Sequence, residues 1–349
     1  MPPQHYFTKE NTKVLKGIAI LMMLLHHFYN GSLSAPIHWA DGNHPMQIAA
    51  TVCKVCVSLF AFLSGYGLTE QYRKKSPDVS DRSFVFHHLK NLMRPYWLVF
   101  FIFVPLGFLL GENPVSVYQA EPKGIFYFIL DALALSPLFQ TPTMNFSWWY
   151  MEAALIFYLG YPFFYRGVKR IPFLVLPVSF ALFAGFGTDH CREIFWMFPF
   201  FMGIFYSEQN LLNRYLTKLN QAIECKSSNR DPLLFYQITS VVSLLLWLYL
   251  RTLAGLWVDV FLAISITKCS VCWINPQNTL GKALSFFGKN AAFLYFTHSF
   301  FYYYYEVCIT LLQKIPFRTL QFFCMLAVSL LASMLLGAIN KSRIFHHLK

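Results

Sequence analysis

Stretches of about 20 mostly apolar residues recur along the whole chain, and this recurrence limits the possible folds more than any other feature. Inside a bilayer the backbone polar groups must bond to one another, which leaves only helices and closed barrels as spanning structures. The apolar runs are continuous and do not alternate with polar residues, a pattern that is typical of helices. The sequence therefore predicts an all-α integral membrane protein that crosses the bilayer several times.

The composition argues against a soluble globular protein. Hydrophobic residues make up 56% of the 349 residues and charged residues only 13%, whereas a soluble domain usually carries about 25% charged residues. The net charge of +12 is compatible with nucleic-acid binding, but the basic residues collect in alternate connecting segments, as they do in membrane proteins. We therefore expect the lipid bilayer, and no nucleic acid, as a partner.

Ten stretches have the length and apolar character of membrane spans. They lie near residues 12–30, 47–70, 91–110, 147–165, 171–187, 192–207, 233–251, 253–269, 286–305 and 317–340. A further stretch, near 124–139, contains Asp131 and Pro137 and is interpreted as a short re-entrant or interfacial helix. The two longest polar stretches, 71–90 and 207–232, are predicted to be loops. The predicted fold is a polytopic bundle of about ten transmembrane helices plus one short helix.

The distribution of Lys and Arg predicts the orientation of this bundle. If the N terminus lies in the cytoplasm, 22 of the 28 basic residues fall in cytoplasmic segments, as the positive-inside rule requires. The six others are Lys54, Lys123, Arg192, Arg251, Lys314 and Arg318. If 124–139 crossed the membrane, Arg166, Lys169 and Arg170 would instead face outward. We therefore expect a multi-pass cell-membrane protein with both termini in the cytoplasm.

Four of the eight cysteines form two C-x-x-C pairs, Cys53/Cys56 and Cys269/Cys272, which together resemble a zinc site. In the predicted topology the first pair lies in the outer half of one span and the second at the inner end of another, so that about 20–30 Å of bilayer would separate them. Cysteine also packs as a small apolar residue. We therefore expect structural cysteines and no metal.

Ionisable side chains within the spans are candidates for function, because a charge in a bilayer is costly. In the first span Lys16 and His27 are eleven residues apart, so both lie on one helix face at about 16 Å along the axis, while His26 points about 100° away. A structural interpretation competes: Lys16 can extend to the interface, and His27 can bond a headgroup or a carbonyl.

Two further spans carry an ionisable group, and a basic cluster precedes a third. Glu152 follows two tryptophans by one turn, and His298 lies among aromatic residues in the ninth span. Lys90 and Arg94 stand at the cytoplasmic edge of the third span, where they either follow the positive-inside rule or bind phosphate. A buried, hydrogen-bonded structural role remains open for His298.

Five short motifs occur in a fixed order along the chain. They are Lys16 with His27, F-x-x-LSG-Y at 60–66, the basic pair before P-x-W at 95–97, S-W-x-x-x-E at 147–152 and G-x-N-x-x-x-x-Y-x-x-H at 288–298. As an ordered set, they resemble the membrane-bound acyltransferase family 3, over about residues 10–340. The resemblance implies one transmembrane acyltransferase domain, assigned to 1–349, whose relatives often O-acetylate cell-surface glycans.

The resemblance also implies roles for the candidate residues. The donor would be acyl-CoA, in the simplest case acetyl-CoA, with its phosphates near Lys13, Lys16, Lys90 and Arg94. His27 would be the general base, with Glu152 and His298 as further site residues, and the acceptor would be a hydroxyl of a cell-surface or exported carbohydrate. The chain departs from the family where Lys16 replaces the usual Arg, and where Lys90 and Arg94 are four residues apart in place of R-x-x-R. Lysine loses the bidentate geometry of Arg.

Two alternatives remain open at this point. The first is a transporter of a small anionic or amino-acid-like solute, which predicts internal inverted repeats; the sequence shows none. The second is a non-catalytic membrane scaffold in which His27 and His298 are structural. An acyl-transfer measurement on the purified protein separates the three.

Overall fold

The computed structural model describes residues 7–30, 45–119, 123–185, 196–224 and 232–341. These residues form α-helices, 3₁₀-helices and one π-helix, and the described part of the chain contains no β-strand. The α-helices are α1 (Lys9–Asn30), α2 (Pro45–Val52), α3 (Cys56–Arg73), α4 (Asp81–Leu110), α5 (Pro114–Tyr118), α6 (Gly124–Ala132), α7 (Trp149–Arg170), α8 (Pro172–Gly185), α9 (Met197–Glu208), α10 (Leu211–Glu224), α11 (Pro232–Ala254), α12 (Asp259–Trp273), α13 (Thr279–Ser299), α14 (Glu306–Gln313) and α15 (Arg318–Lys341). A π-helix, Phe300–Tyr304, follows α13.

The all-helical prediction is confirmed for the described residues, and each of the ten predicted spans coincides with a helix in its described part. Four helical stretches there are long and apolar enough to cross a membrane: Pro45–Arg73, Asp81–Leu110, Leu233–Trp273 and Arg318–Lys341. The total of ten spans is not confirmed by this criterion and stays a prediction.

Three helices have the length of a span but a more polar composition. They are α1 with 22 residues, α7 with 22 and α13 with 21. These helices carry the candidate residues His27, Glu152 and His298. These polar side chains contribute to the lower mean hydropathy of the three helices.

The Leu233–Trp273 stretch folds back on itself. A 3₁₀ turn, Gly255–Val258, separates α11 from α12, and Gly255 has a φ of 63°, a left-handed conformation that glycine adopts without strain. The hydroxyls of Ser243 and Ser265 lie 2.8 Å apart across the pair. The stretch is therefore an antiparallel helical hairpin, which agrees with the two spans predicted at 233–251 and 253–269.

Both segments predicted as long loops contain helix. Helix α4 begins at Asp81, ten residues before the predicted span. Helix α10 occupies Leu211–Glu224 and buries Leu212, Leu216 and Leu219 while Arg214 and Lys218 stay exposed. Apolar residues at this spacing bury one helix face even when the average composition is polar, so the loop prediction is wrong there. Helix α6, at nine residues, is too short to span the bilayer.

The chain divides into two compact units that are interleaved in sequence. The first unit contains Met1–Met22, Val52–Phe84 and Leu159–Lys289, and the second contains Met23–Thr51, Val85–Tyr158 and Asn290–Lys349. Helices α1, α2, α4, α7 and α13 contribute residues to both units. The assignment of 1–349 as a single acyltransferase domain stays a prediction.

In the first unit, glycines allow backbones to meet. A Cβ on Gly17 would lie 2.0 Å from the Leu284 carbonyl oxygen, and one on Gly288 would lie 1.9 Å from the Lys13 carbonyl oxygen. Real atoms cannot approach so closely, so only glycine fits at either position. Small residues at such crossings are the usual way in which membrane helices pack, and here they hold the start of α1 against the first half of α13.

The core of the second unit is aromatic. Tyr96, Phe100, Trp148, Phe296 and Phe300 pack in one buried cluster, and their rings meet edge-on or tilted. The Trp148 indole N–H donates to the Phe296 carbonyl at 3.1 Å. The residues that lead into α7 are thereby fixed to the last turns of α13.

Candidate active site

His27 and His298 are in direct contact in the second unit. The Nδ1 atom of His27 lies 2.8 Å from the Nε2 atom of His298, and the rings are nearly parallel with centroids 5.0 Å apart. His298 is fully buried, whereas His27 is half-buried. The neighbouring His26 points elsewhere, as predicted, with its Nδ1 2.8 Å from the Ala50 carbonyl. The contact joins residues that are 271 positions apart in the sequence.

The surroundings of His298 determine the tautomer of both rings. Its Nδ1 lies 2.8 Å from the Tyr295 carbonyl and 3.1 Å from the Leu294 carbonyl. Carbonyl oxygens only accept, so Nδ1 of neutral His298 carries the proton and its Nε2 accepts. His27 Nδ1–H must then donate to His298, which places the lone pair of neutral His27 on Nε2. A histidine held in this way is oriented to act as a base at one defined nitrogen.

A π-helix begins two residues after His298. It covers Phe300–Tyr304, and its Tyr302 ring lies 6.0 Å from the His298 ring and 5.6 Å from the Phe28 ring. Single π-turns within α-helices are rare and are often found at functional sites. Here the wider turn carries buried aromatic rings against both histidine-bearing helices.

Residues 143–148, which precede α7, are bound to the last turns of α13 and to the π-helix. The bonds are Asn145 Nδ2 to Ser299 Oγ at 2.7 Å, Tyr295 hydroxyl to the Ser147 carbonyl at 2.5 Å, and Phe146 N–H to the Tyr304 hydroxyl at 2.6 Å. Asn145 is completely buried, and Ser299 directly follows His298. These bonds fix the loop before Glu152 to the helix that carries His298.

A buried carboxylate holds the other side of this loop. Asp131 accepts hydrogen bonds from the Tyr118 hydroxyl at 2.6 Å, the Thr143 hydroxyl at 2.8 Å and the Met144 N–H at 2.8 Å. Its own carbonyl accepts from the Tyr96 hydroxyl. Burying a carboxylate requires such partners. Asp131, which lies on α6, therefore anchors the segment that precedes α7.

Glu152 lies in the first turn of α7 and is almost completely buried. The preceding residues, Trp148 and Met151, belong to the aromatic cluster that also contains Phe296 and Phe300. The structure thus places Glu152 in the same unit as His27 and His298, on a helix whose start is fixed to α13.

The residues predicted to bind the donor divide between the units. Lys13 and Lys16 belong to the first unit, where Lys13 Nζ lies 2.5 Å from Glu10 Oε1 and the Lys16 side chain is exposed. Lys90 and Arg94 belong to the second unit. The Arg94 guanidinium donates to the Asn340 carbonyl at 2.6 Å, in the last turn of α15, so it has a structural partner as well.

The cysteine pairs lie in packed surroundings in the first unit. Cys56 and Cys272 are buried, and the Cys272 sulfur lies 3.0 Å from the Tyr215 hydroxyl. Within the residues that the structure describes, no three His, Cys, Asp or Glu side chains are grouped closely enough to hold a metal ion.

Sequence reasoning missed the residues that surround the histidines. The motifs do not include Asn145 and Ser299, although each lies within two residues of a motif residue. In the sequence, Asp131 only argues against a membrane span. Their signal is weak because Asn and Ser are common in any chain. Only the fold reveals that residues 131, 145 and 299 converge on one loop.

The family comparison agrees with the motifs. A family model described as an acyltransferase domain matches residues 11–338, which is nearly the whole chain. No curated protein and no solved structure matches the chain.

Proposed function

The chain is a member of this acyltransferase family, and we propose that it transfers an acyl group, in the simplest case acetyl, from cytoplasmic acyl-CoA to a hydroxyl of a cell-surface or exported carbohydrate. The observation that carries the proposal is the contact between His27 and His298, which supports a base at the other nitrogen of His27. The family membership supports acyl transfer, and the donor, the acceptor and the acyl group are our proposal.

The chemistry follows from the tautomers. The acceptor hydroxyl lies against His27 Nε2, which takes its proton as the oxygen attacks the thioester carbonyl carbon. The new C–O bond forms, the tetrahedral intermediate collapses, and the C–S bond breaks with release of the CoA thiolate, which takes the proton back from the imidazolium. His298 Nε2 accepts from Nδ1–H of His27 throughout and stabilises the charged ring. A positioned base of this kind contributes about 10²–10⁴-fold in rate.

The proposed arrangement crosses the membrane. Both termini and the Lys218 region would face the cytoplasm, and the phosphates of acyl-CoA would lie near Lys13, Lys16, Lys90 and Arg94. Along α1, His27 is 14 residues from Lys13, or about 21 Å at the rise of an α-helix. The thioester would reach inward from the cytoplasmic end, and the acceptor would enter from the other end.

Orientation is tested by cysteine labelling. A Lys218→Cys variant, in a background without other reactive cysteines, should resist an impermeant thiol reagent in intact cells and react after permeabilisation. Lys314→Cys, on the opposite side in the proposed topology, should react in both conditions. Efficient labelling of Lys218→Cys in intact cells would overturn the orientation.

Activity is tested with the purified full-length protein in proteoliposomes. With radiolabelled acetyl-CoA and a panel of glycosides, label should appear in the carbohydrate in the wild type and be absent with His27→Gln, which cannot act as the base. Label transfer that is equal in the two proteins would remove His27 from the mechanism. Solute uptake in the absence of any acyl transfer would support the transporter instead.

A further inference from the structure

We propose that Arg318 forms a subsite for an anionic group of the acceptor, a sugar carboxylate or phosphate, beside the base His27. This inference rests on the proposed function and names the class of carbohydrate that the site would take. It concerns the first residue of α15, which the motifs do not include and which is one of six basic residues that fall outside the predicted cytoplasmic segments.

Arg318 contacts the end of α1, at the two residues that follow the candidate base in the sequence. Its terminal nitrogen is 3.4 Å from the Phe28 carbonyl oxygen, which belongs to the residue after His27. The guanidinium carbon is 5.8 Å from the centroid of the Phe28 ring and 5.6 Å from that of the Tyr29 ring. The second unit therefore holds a positive charge against the two residues that follow His27 on α1.

Among the described residues, few partners take up the donors of this guanidinium. An Arg side chain has five N–H donors, and the structure gives Arg318 one long bond to a carbonyl and two aromatic contacts. Its Nε is buried and has no hydrogen-bond partner in the described part of the chain. Arg251, by contrast, is paired with the buried Asp259. Arg318 is thus a half-buried cation with a buried Nε, and it forms no salt bridge with a carboxylate of the described residues.

The chemistry of the group defines its ligand. A guanidinium presents paired N–H groups that match the two oxygens of a carboxylate or phosphate. The flanking Phe28 and Tyr29 rings are buried and hold the planar cation against aromatic surface. A neutral acceptor would leave the guanidinium donors unpaired, which is unfavourable at a partly buried site.

The position of Arg318 favours the acceptor over the donor. Arg94 contacts Asn340 at the far end of α15, 22 residues from Arg318, or about 33 Å at the rise of an α-helix. That separation is similar to the thickness of the hydrocarbon core, about 30 Å. If the CoA phosphates lie at the Arg94 end, they do not reach Arg318, so an anion bound there arrives with the acceptor.

The test compares three ligands that differ at one carbon of the sugar. Binding of methyl β-D-glucuronide, methyl β-D-glucoside 6-phosphate and methyl β-D-glucoside to the full-length protein in nanodiscs is measured by calorimetry. We expect the wild type to bind at least one anionic glycoside tenfold or more tightly than the neutral one, and the anion that binds more tightly identifies the group. Arg318→Gln should abolish this preference while the affinity for the neutral glucoside stays unchanged.

Two further variants serve as controls. Lys314→Gln removes the same charge four residues away, on an exposed side chain, and should keep the wild-type preference. Arg318→Lys keeps the charge without the paired donors, so it should retain part of the preference; it also decides the question if Arg318→Gln does not fold. Equal affinity for the three ligands in the wild type, no binding of any, or an equal effect of Arg318→Gln on all of them would overturn the subsite.

Acetyl transfer to the same glycosides, measured separately, distinguishes the two proposals. Charge-selective binding through Arg318 without any transfer would leave the subsite standing and contradict the acyltransferase mechanism. Transfer by a protein that shows no preference for anionic glycosides would support the mechanism and overturn the subsite.

Discussion

Helices α1 and α13 meet twice, and the two contacts differ in kind. In the first unit the backbones touch at Gly17 and Gly288, where no side chain fits. In the second unit the side chains of His27 and His298 touch through ring nitrogens. The glycine contacts bring the backbones together, whereas the histidine contact orients the ring nitrogens that the proposed chemistry would use. One helix pair therefore provides both a close backbone contact and the proposed base.

The largest expected effect is on the histidine side. His27→Ala should lower kcat by about 10²–10⁴-fold, because it removes the positioned base, while the protein still folds and binds acyl-CoA. His26→Ala is the matched control, since His26 contacts Ala50 instead of His298. Acetyl transfer under saturating acyl-CoA measures the effect. A His27→Ala protein with more than half of the wild-type rate would contradict the assignment and pass the role to His298.

A substitution at the glycine contact should lower the stability of the protein. Gly288→Ala forces a Cβ to within 1.9 Å of the Lys13 carbonyl, and overpacking of this kind costs about 1–3 kcal/mol or more. Gly337→Ala, with nothing within 4 Å of the added Cβ, is the control. Thermal unfolding in detergent should show a lower Tm for Gly288→Ala alone. Equal Tm values for the two variants would mean that the backbones are not in close contact.

His298 should affect rate less than His27, because it orients the base and does not take the proton from the acceptor. His298→Leu removes the acceptor for His27 Nδ1–H and should lower kcat roughly ten- to a hundredfold, the range found when a partner that orients a functional His is removed. His298→Gln can still accept through its amide oxygen and should recover part of this loss.

The Michaelis constants separate orientation from binding in these variants. KM for acyl-CoA should stay within about twofold of the wild type if His298 acts only through His27. A His298→Leu enzyme with unchanged kcat would show that the contact between the rings is structural, and failure of His298→Gln to exceed His298→Leu would remove the hydrogen bond from the explanation.

The smallest expected effect concerns Arg94, at the far end of α15 from the histidine pair. Arg94→Ala should weaken acyl-CoA binding about tenfold, while loss of the bond to Asn340 costs about 1 kcal/mol of stability, a usual value for one hydrogen bond. Arg82→Ala, on an exposed side chain, is the control. Unchanged affinity for acyl-CoA in a folded Arg94→Ala protein would leave Arg94 with the structural role alone.

The sequence predicts helices well in this chain because membrane spans depend on local composition. Helix α10 and the start of α4, which lie in segments predicted to be loops, are polar on average, so composition does not reveal them. The short helices α5 and α14 also lie outside the predicted spans. The site is harder, since its parts are distant in sequence. His27 and His298 were each proposed from polarity in an apolar run, but no local signal indicates that they touch. Asn145 and Ser299 emerge only from the packing of the loop before α7 against α13.

The polar character of α1 and α13 has a consequence for how the protein is made. Charged side chains raise the free energy of inserting a helix from the translocon by about 2.5–3.5 kcal/mol each at the helix centre, so such helices gain most from a partner already in place. The partner of His27 is synthesised 271 residues later, roughly 14–54 s at ribosomal speed. During that interval the second half of α1 exposes its histidine without His298. If α1 and α13 both span the bilayer, as the sequence predicts, insertion of α1 should gain from a neighbouring helix that covers its polar face until α13 leaves the ribosome.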